Sequence, residues 1–139
     1  MYKKIMGLDI GDKRIGVALS DPLHITAQGV ESYTRKGEEE DLKYLTGIIK
    51  NAGGDLIVCG LPKNMNGTIG PQAEKIMEFG KKLEEYSGLK VEYFDERLTT
   101  VMAEKVLIEA DMSRQKRRKV VDKLAAVTIL QGYLDRKNF

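Results

Sequence analysis

Three acidic positions in this chain are of a type and spacing that could do chemistry. Asp9 closes the apolar stretch Ile5-Met6-Gly7-Leu8 and precedes Ile10-Gly11, so its carboxylate falls at the end of a core strand. An ionised carboxylate at such a place is costly unless it is hydrogen-bonded, paired or bound to a metal. Asp95-Glu96-Arg97 ends a second apolar run. Asp122 heads a helical stripe in which Ala125, Ala126, Ile129 and Tyr133 fall on its side, and the paired alanines would let that helix approach a sheet closely. Each acid has an ordinary alternative. Asp9 can accept N–H groups from the Gly11–Lys13 turn, Arg97 can neutralise a neighbouring acid, and Asp122 can pair with Arg118 one turn away. Brought together, the carboxylates repel, and a divalent cation is the simple remedy. Hard Mg²⁺ or Mn²⁺ prefers such oxygen ligands. One or two of these ions could activate water against a phosphodiester and assist the leaving oxygen.

A second constellation is basic. Residues 113–139 hold eight basic and two acidic side chains, whereas the whole chain has a net charge of only +2. Arg114, Lys116, Arg117, Arg118 and Lys119 crowd the start of a helix that Ser113 can cap. Cations at a helix N-terminus oppose its dipole, typically by a few tenths of a kcal/mol each. Tolerance of that cost points to binding of a phosphate backbone, with Lys13 and Arg14 adding contacts. The bland alternative is a solvated face that balances acids elsewhere. No agent of base-specific reading is visible, so recognition of shape and backbone is expected.

The elements that must position these residues follow from periodicity. Strands are expected at 4–9, 14–20 and about 25–33, joined by short turns into an antiparallel meander. Leu42, Leu45, Ile49 and Ala52 mark a helix ended by Gly53-Gly54. A continuous apolar run, 55–60, reads as a strand covered on both faces. The polar loop 61–71 follows, where Asn64, Asn66 and Thr68 could touch sugar or phosphate. A helix with Ala73, Ile76, Met77, Gly80 and Leu83 comes next, then a strand at 90–95. A helix carrying Ala103, Val106, Leu107 and Ala110, capped by Thr99 or Thr100, precedes the last one, expected to run to about Tyr133. The β-β-β-α-β-α-β-α-α order implies a mixed sheet with helices on its faces, and ligands gather at the carboxyl ends of parallel strands.

Length and composition bound the reading. The 139 residues fit a single domain, 1–139, and 32% charged with 42% hydrophobic residues is the profile of a globular protein. The single cysteine, Cys59, excludes an internal disulfide and reads as a buried small hydrophobe. A lone histidine, His24, in a strand-entry loop is not expected to be catalytic, and without a His/Cys ligand set zinc is not expected either. No membrane association is expected, because no apolar stretch approaches a span. The N-terminus lacks the long apolar region of a signal peptide, which makes the cytoplasm the expected location.

Taken in order, Gly7-Leu8-Asp9-Ile10-Gly11 with Lys13-Arg14-Ile15-Gly16-Val17-Ala18, Gly60-Leu61-Pro62 with Asn64-Met65-Asn66-Gly67, Asp95-Glu96-Arg97-Leu98-Thr99, and Val121-Asp122-Lys123-Leu124-Ala125-Ala126 with Ile129-Leu130-Gln131 resemble the YqgF (RuvX) family over essentially the whole chain. Members of that family are described as pre-16S rRNA nucleases and as Holliday junction resolvases. The resemblance implies an α/β, RNase H-like fold with a five-stranded mixed sheet in the order 3-2-1-4-5 and helices on both faces. It implies maturation of the 5′ end of 16S rRNA on a pre-ribosomal particle. It places the acidic, metal-binding site on Asp9, Glu96 and Asp122, with Asp95 as the alternative strand-five ligand, and puts Arg97 among the groups near the nucleic acid. RuvC-type enzymes carry a Glu at the end of strand four, where this chain has Gly60-Leu61-Pro62, so strand five must supply that acid. Structured RNA is then the first expected partner and a four-way DNA junction the second, with the protein a monomer or weak homodimer. A non-catalytic RNA-binding assembly factor is the competing class. A phosphate loop of an actin-like ATPase is a third, disfavoured because such proteins need two such domains.

Overall fold

The computed structural model describes residues 3–62, 70–95 and 114–138, with the side chains of the last helix described from Lys123 to Lys137. Three antiparallel strands come first: β1 (Ile5–Ile10), β2 (Arg14–Ser20) and β3 (Ala27–Thr34). Helix α1 (Glu38–Asn51) leads to β4 (Leu56–Leu61), α2 (Pro71–Ser87) to β5 (Lys90–Asp95), and α3 (Arg114–Asn138) closes the described chain. The sheet order is β3-β2-β1-β4-β5, with β4 parallel to both β1 and β5. This is the expected topology. The helix expected at 99–110 lies outside the described residues.

Alternation along the strands divides the core into two layers. Met6, Leu8, Ile10, Ile15, Val17, Cys59 and Leu61 face α1 and α2. Ile5, Ala18 and Val58 face α3, where Ala126, Ile129, Leu130 and Leu134 are fully buried. Each such Leu or Ile contributes about 1.5–3 kcal/mol of burial. The close helix approach expected from Ala125-Ala126 is present and needs Gly7 as well. A Cβ on Gly7 would lie 2.7 Å from the Leu130 Cβ and 3.2 Å from the Ala126 carbonyl oxygen.

Three details differ from the sequence expectation. Strand β3 begins at Ala27, not near Ile25, because the Asp21 carboxylate takes the N–H groups of Ile25 (2.7 Å) and Thr26 (2.9 Å) and holds them in a loop. Helix α2 buries Phe79 instead of Met77, which is exposed. Helix α3 continues past Tyr133, since Leu134 still packs in the core and Arg136 lies over the Phe94 ring, 5.6 Å from its centroid.

Candidate active site

Asp9 belongs to the α3 face of the sheet. Its strand neighbours Leu8 and Ile10 belong to the α1–α2 layer, whereas Gly7, two residues before it, backs directly onto α3. The carboxylate is partly exposed at the carboxyl end of β1. Its cross-strand partner on β2 is Gly16. On the other side β4 pairs with β1 through Leu8 and Cys59, so the next position brings Gly60 beside Asp9. Gly60 pairs in turn with Phe94 of β5. The row across the sheet therefore reads Gly16, Asp9, Gly60, Phe94, with one acid between two residues that have no side chain.

Asp95 falls on the other face. It pairs with Leu61, which belongs to the α1–α2 layer, and the same face of β5 carries Val91 and Tyr93. Phe94 and Glu92 turn toward α3, the latter accepting a hydrogen bond from the Tyr133 hydroxyl. Asp9 and Asp95 thus occupy opposite faces. Among the described residues no group of three acidic, histidine or cysteine side chains is close enough to hold a metal. Glu96 and Arg97 lie outside the described residues, as do Asn64, Asn66 and Thr68.

Helix α3 carries the third acid in its backbone path. Ala126 packs over Gly7, and Asp122 lies one turn earlier, about 6 Å along the helix axis. The Gln131 amide ties the other direction of the helix to the far end of the sheet. Its oxygen accepts the Ala27 N–H at 2.9 Å and its nitrogen donates to the Ile25 carbonyl at 2.8 Å. Going from Gln131 toward Asp122, the helix advances toward the Asp9 end, while Asp9 lies about 6.6 Å beyond Gly7. The basic positions Arg114, Lys116, Arg117, Arg118 and Lys119 occupy its first two turns, which contain no acid in the first turn. The start of α1, by contrast, has Glu38, Glu39, Glu40 and Asp41.

The turn after Asp9 is held by a network that sequence reading missed. Gly11 donates its N–H to the Arg14 carbonyl at 2.9 Å. Arg35 then clamps the turn from outside, its backbone N–H on the Lys13 carbonyl (2.9 Å) and its Nη1 on the Gly11 carbonyl (3.0 Å). Arg35 is held by Asp41, 2.9 Å from its Nε. Asp41 is fully buried and also accepts from the Tyr33 hydroxyl (2.9 Å) and the Lys36 N–H (3.0 Å). Burial pushes the Asp41 carboxyl up, but the Lys36 N–H, the Arg35 guanidinium and the Tyr33 hydroxyl together hold it below the ordinary carboxylate range. Burial, and then Asp41, push the Tyr33 hydroxyl up to about 12. The clamp fixes the turn that carries Lys13, which is exposed, and Arg14, which shares the sheet face of Gly16, the partner of Asp9.

His24 sits at the opposite end of β1. Its Nε2 donates to the Lys3 carbonyl, which leaves Nδ1 to accept from the Lys137 ammonium at 3.1 Å. Cys59 is buried, as expected. No helix among the described residues is long and apolar enough to cross a membrane.

Known proteins resemble this arrangement along its whole length. The model of a family described as "RuvX: Holliday junction resolvase" matches residues 3–136. A Clostridium kluyveri protein named "Putative pre-16S rRNA nuclease" is 59% identical over 133 residues, covering 96% of this chain and 97% of the relative. A Clostridioides difficile protein of the same name is 58% identical over 134 residues, covering 96% and 95%. Among solved structures, T. thermophilus RuvC in complex with a Holliday junction substrate superposes with a TM-score of 0.60 at 10% identity, covering 99% of this chain and 97% of RuvC. The fowlpox virus resolvase with its junction DNA gives 0.60 at 15% identity, covering 96% and 98%. At these identities the two resolvases speak to the fold alone, which is RNase H-like.

Proposed function

Since the chain belongs to the RuvX family, we propose that it is a metal-dependent endonuclease that hydrolyses phosphodiester bonds in structured nucleic acid, with precursor 16S rRNA as its substrate. The observation that carries the reading is Asp9 on the α3 face at the carboxyl end of a core strand, with the path of α3 over Gly7 bringing Asp122 toward the same end of the sheet. A carboxylate at the carboxyl end of a parallel strand is where a hard cation and a phosphate could be held. Asp9, Glu96 and Asp122 would hold one or two Mg²⁺ or Mn²⁺ ions, an all-oxygen donor set suited to hard cations. Asp95 shares its face with Leu61 on the side away from Asp9, so Glu96 is our choice of strand-five acid. Bound there, the metal would lower the pKa of water and polarise the phosphoryl oxygens.

The protein's own groups bind and orient. Lys13 and Arg14, fixed by the Arg35 clamp, and the first two turns of α3 would grip the phosphate backbone on either side of Asp9. The expected setting is the bacterial cytoplasm, on a pre-ribosomal particle. A Gly at position 60, where RuvC-type enzymes have Glu, argues against carrying junction resolution over unchanged. The test incubates the protein with precursor rRNA, short RNA and four-way DNA junctions, with Mg²⁺, Mn²⁺ or EDTA, beside Asp9→Asn. Metal-dependent cutting of the rRNA that Asp9→Asn abolishes is the expected result. Cleavage that survives EDTA or the substitution would remove the proposed mechanism, and binding without cleavage would favour an assembly factor.

A further inference from the structure

Helix α1 carries a feature that the Asp9 site does not use. Tyr44 is a large side chain left 40% exposed, yet its ring is not loose. It stacks on the buried Tyr33 ring with centroids 4.3 Å apart and 13° between planes, and its hydroxyl donates to Glu31. A ring already fixed in place can offer a flat face at little further cost in entropy. At i+3 on the same face stands Gly47, in the middle of the helix. Glycine there weakens the helix relative to alanine, and packing does not require it, since a Cβ at 47 would meet no atom within 4 Å. Gly7 and Gly80, by contrast, each have a side chain pressed against them.

The missing side chain opens a groove of about 740 Å³ whose walls include Tyr33, Tyr44, Gly47, Lys36, Lys43 and Glu40. This lies within the roughly 300–1,000 Å³ of small-ligand clefts, and its charged wall residues are two cations against one acid. Lys36 follows Arg35, whose N–H is bonded to the Lys13 carbonyl, so one end of the groove lies near the turn that bears Lys13 and Arg14, while its Tyr33 wall puts it on the α1–α2 side of the sheet, reached from Asp9 around the β3 edge.

The geometry points to this groove as a binding site for an unpaired nucleotide flanking the cut, its base against Tyr44 and over Gly47, its phosphates at Lys36 and Lys43. Every base has a π-face, so an aromatic platform with flanking cations captures single strands without reading sequence. The inference rests on the nuclease reading above and extends it to the strand that leaves the site.

The test measures fluorescence anisotropy of a labelled RNA hairpin, blunt or with a short unpaired flank, with Ca²⁺ in place of Mg²⁺ to suppress cutting. The flank should tighten binding about tenfold, within the range for one stacked base. Tyr44→Ala and Gly47→Leu should each bring the ratio of flanked to blunt affinity close to one, while Tyr44→Phe keeps it. Gly47→Leu is the decisive variant, because it should raise thermal stability while lowering flank binding, a combination that a structural role cannot produce. A DNA flank separates the two sources of this chemistry: tightening equal to RNA assigns it to base and phosphate, and tightening by RNA alone adds the ribose. A wild type that binds both hairpins equally, or a ratio unchanged in both variants, overturns the groove and leaves the nuclease reading standing. A wild type that binds neither hairpin also overturns the groove, and the metal-dependent cleavage of precursor rRNA decides the nuclease reading separately.

Discussion

Gly7→Ala tests whether the contact between β1 and α3 sets the position of Asp122 relative to Asp9 at the proposed site. The new methyl group would lie 2.7 Å from the Leu130 Cβ and 3.2 Å from the Ala126 carbonyl oxygen. Carbon atoms at contact prefer roughly 3.5–4.0 Å, so one element must retreat by about 1 Å. Neither neighbour can swing away, since one is the first atom of a side chain and the other is helix backbone. The helix therefore moves, at an overpacking cost of about 1–3 kcal/mol. In a domain of this size that lowers the melting temperature by roughly 3–12 °C. The same shift moves Asp122 relative to Asp9, and a misplacement of about 1 Å at a reacting centre can cost around a hundredfold in rate. The assay pairs thermal unfolding with single-turnover RNA cleavage well below the transition, so that lost activity cannot be ascribed to unfolded protein. A variant with wild-type stability would refute the packing argument. A destabilised variant with wild-type cleavage would show that the position of α3 does not govern the chemistry.

Two other perturbations have defined outcomes. Asp41→Asn turns an amide N–H toward donors that a carboxylate now satisfies, and should cost about 2–4 kcal/mol in urea unfolding. The same network predicts the pH profile of wild-type stability. Asp41 is depressed when folded, so its contribution is present above the ordinary carboxylate value near pH 4 and is lost as pH falls through the lower folded value. Tyr33 is raised to about 12, so its contribution is present below about pH 10 and lost as pH rises through the folded value. A plateau between these limits that Asp41→Asn lowers, with the acid limb flattened because the titrating group is gone, is the expected curve. Finally, Arg117→Ala with Arg118→Ala should lessen the slope of log affinity against log salt by about 1.4–1.8 for two lost phosphate contacts, and an unchanged slope would mean that neither touches the backbone.

Much of this architecture was legible in the chain because its signals are local. The period-two runs of β1 and β2, the apolar run before Gly60 and the Leu42-Leu45-Ile49 stripe each name their own element, and connection rules then leave few topologies. The paired alanines announced a close helix–sheet contact. What stayed hidden depends on partners distant in sequence or on one exceptional hydrogen bond. Asp41 reads as one more acid in a dipole-favouring first turn, and only the folded chain brings Tyr33 and Arg35 onto it. Met77 and Phe79 are both plausible core residues, and the azimuth of α2 decides between them. The start of β3 is displaced by a single carboxylate, Asp21. At the site, Asp9 was visible as an acid ending a core strand. Its cross-strand partner Gly16 was not, because only the register pairs the two. The same register separates Asp95 from Asp9, a distinction that adjacent acids in a sequence cannot make.

Divalent-cation binding at Asp9 on the α3 face is the step on which the proposed chemistry depends. It is tested most directly by titrating Mn²⁺ into the protein and following free ion by electron paramagnetic resonance, for wild type, Asp9→Asn and Asp95→Asn. The expected result is a saturable site whose affinity falls roughly tenfold or more in Asp9→Asn and stays within about twofold in Asp95→Asn, since Asp95 lies across the sheet. Mn²⁺ affinity unaltered by Asp9→Asn, or abolished by Asp95→Asn alone, would contradict it.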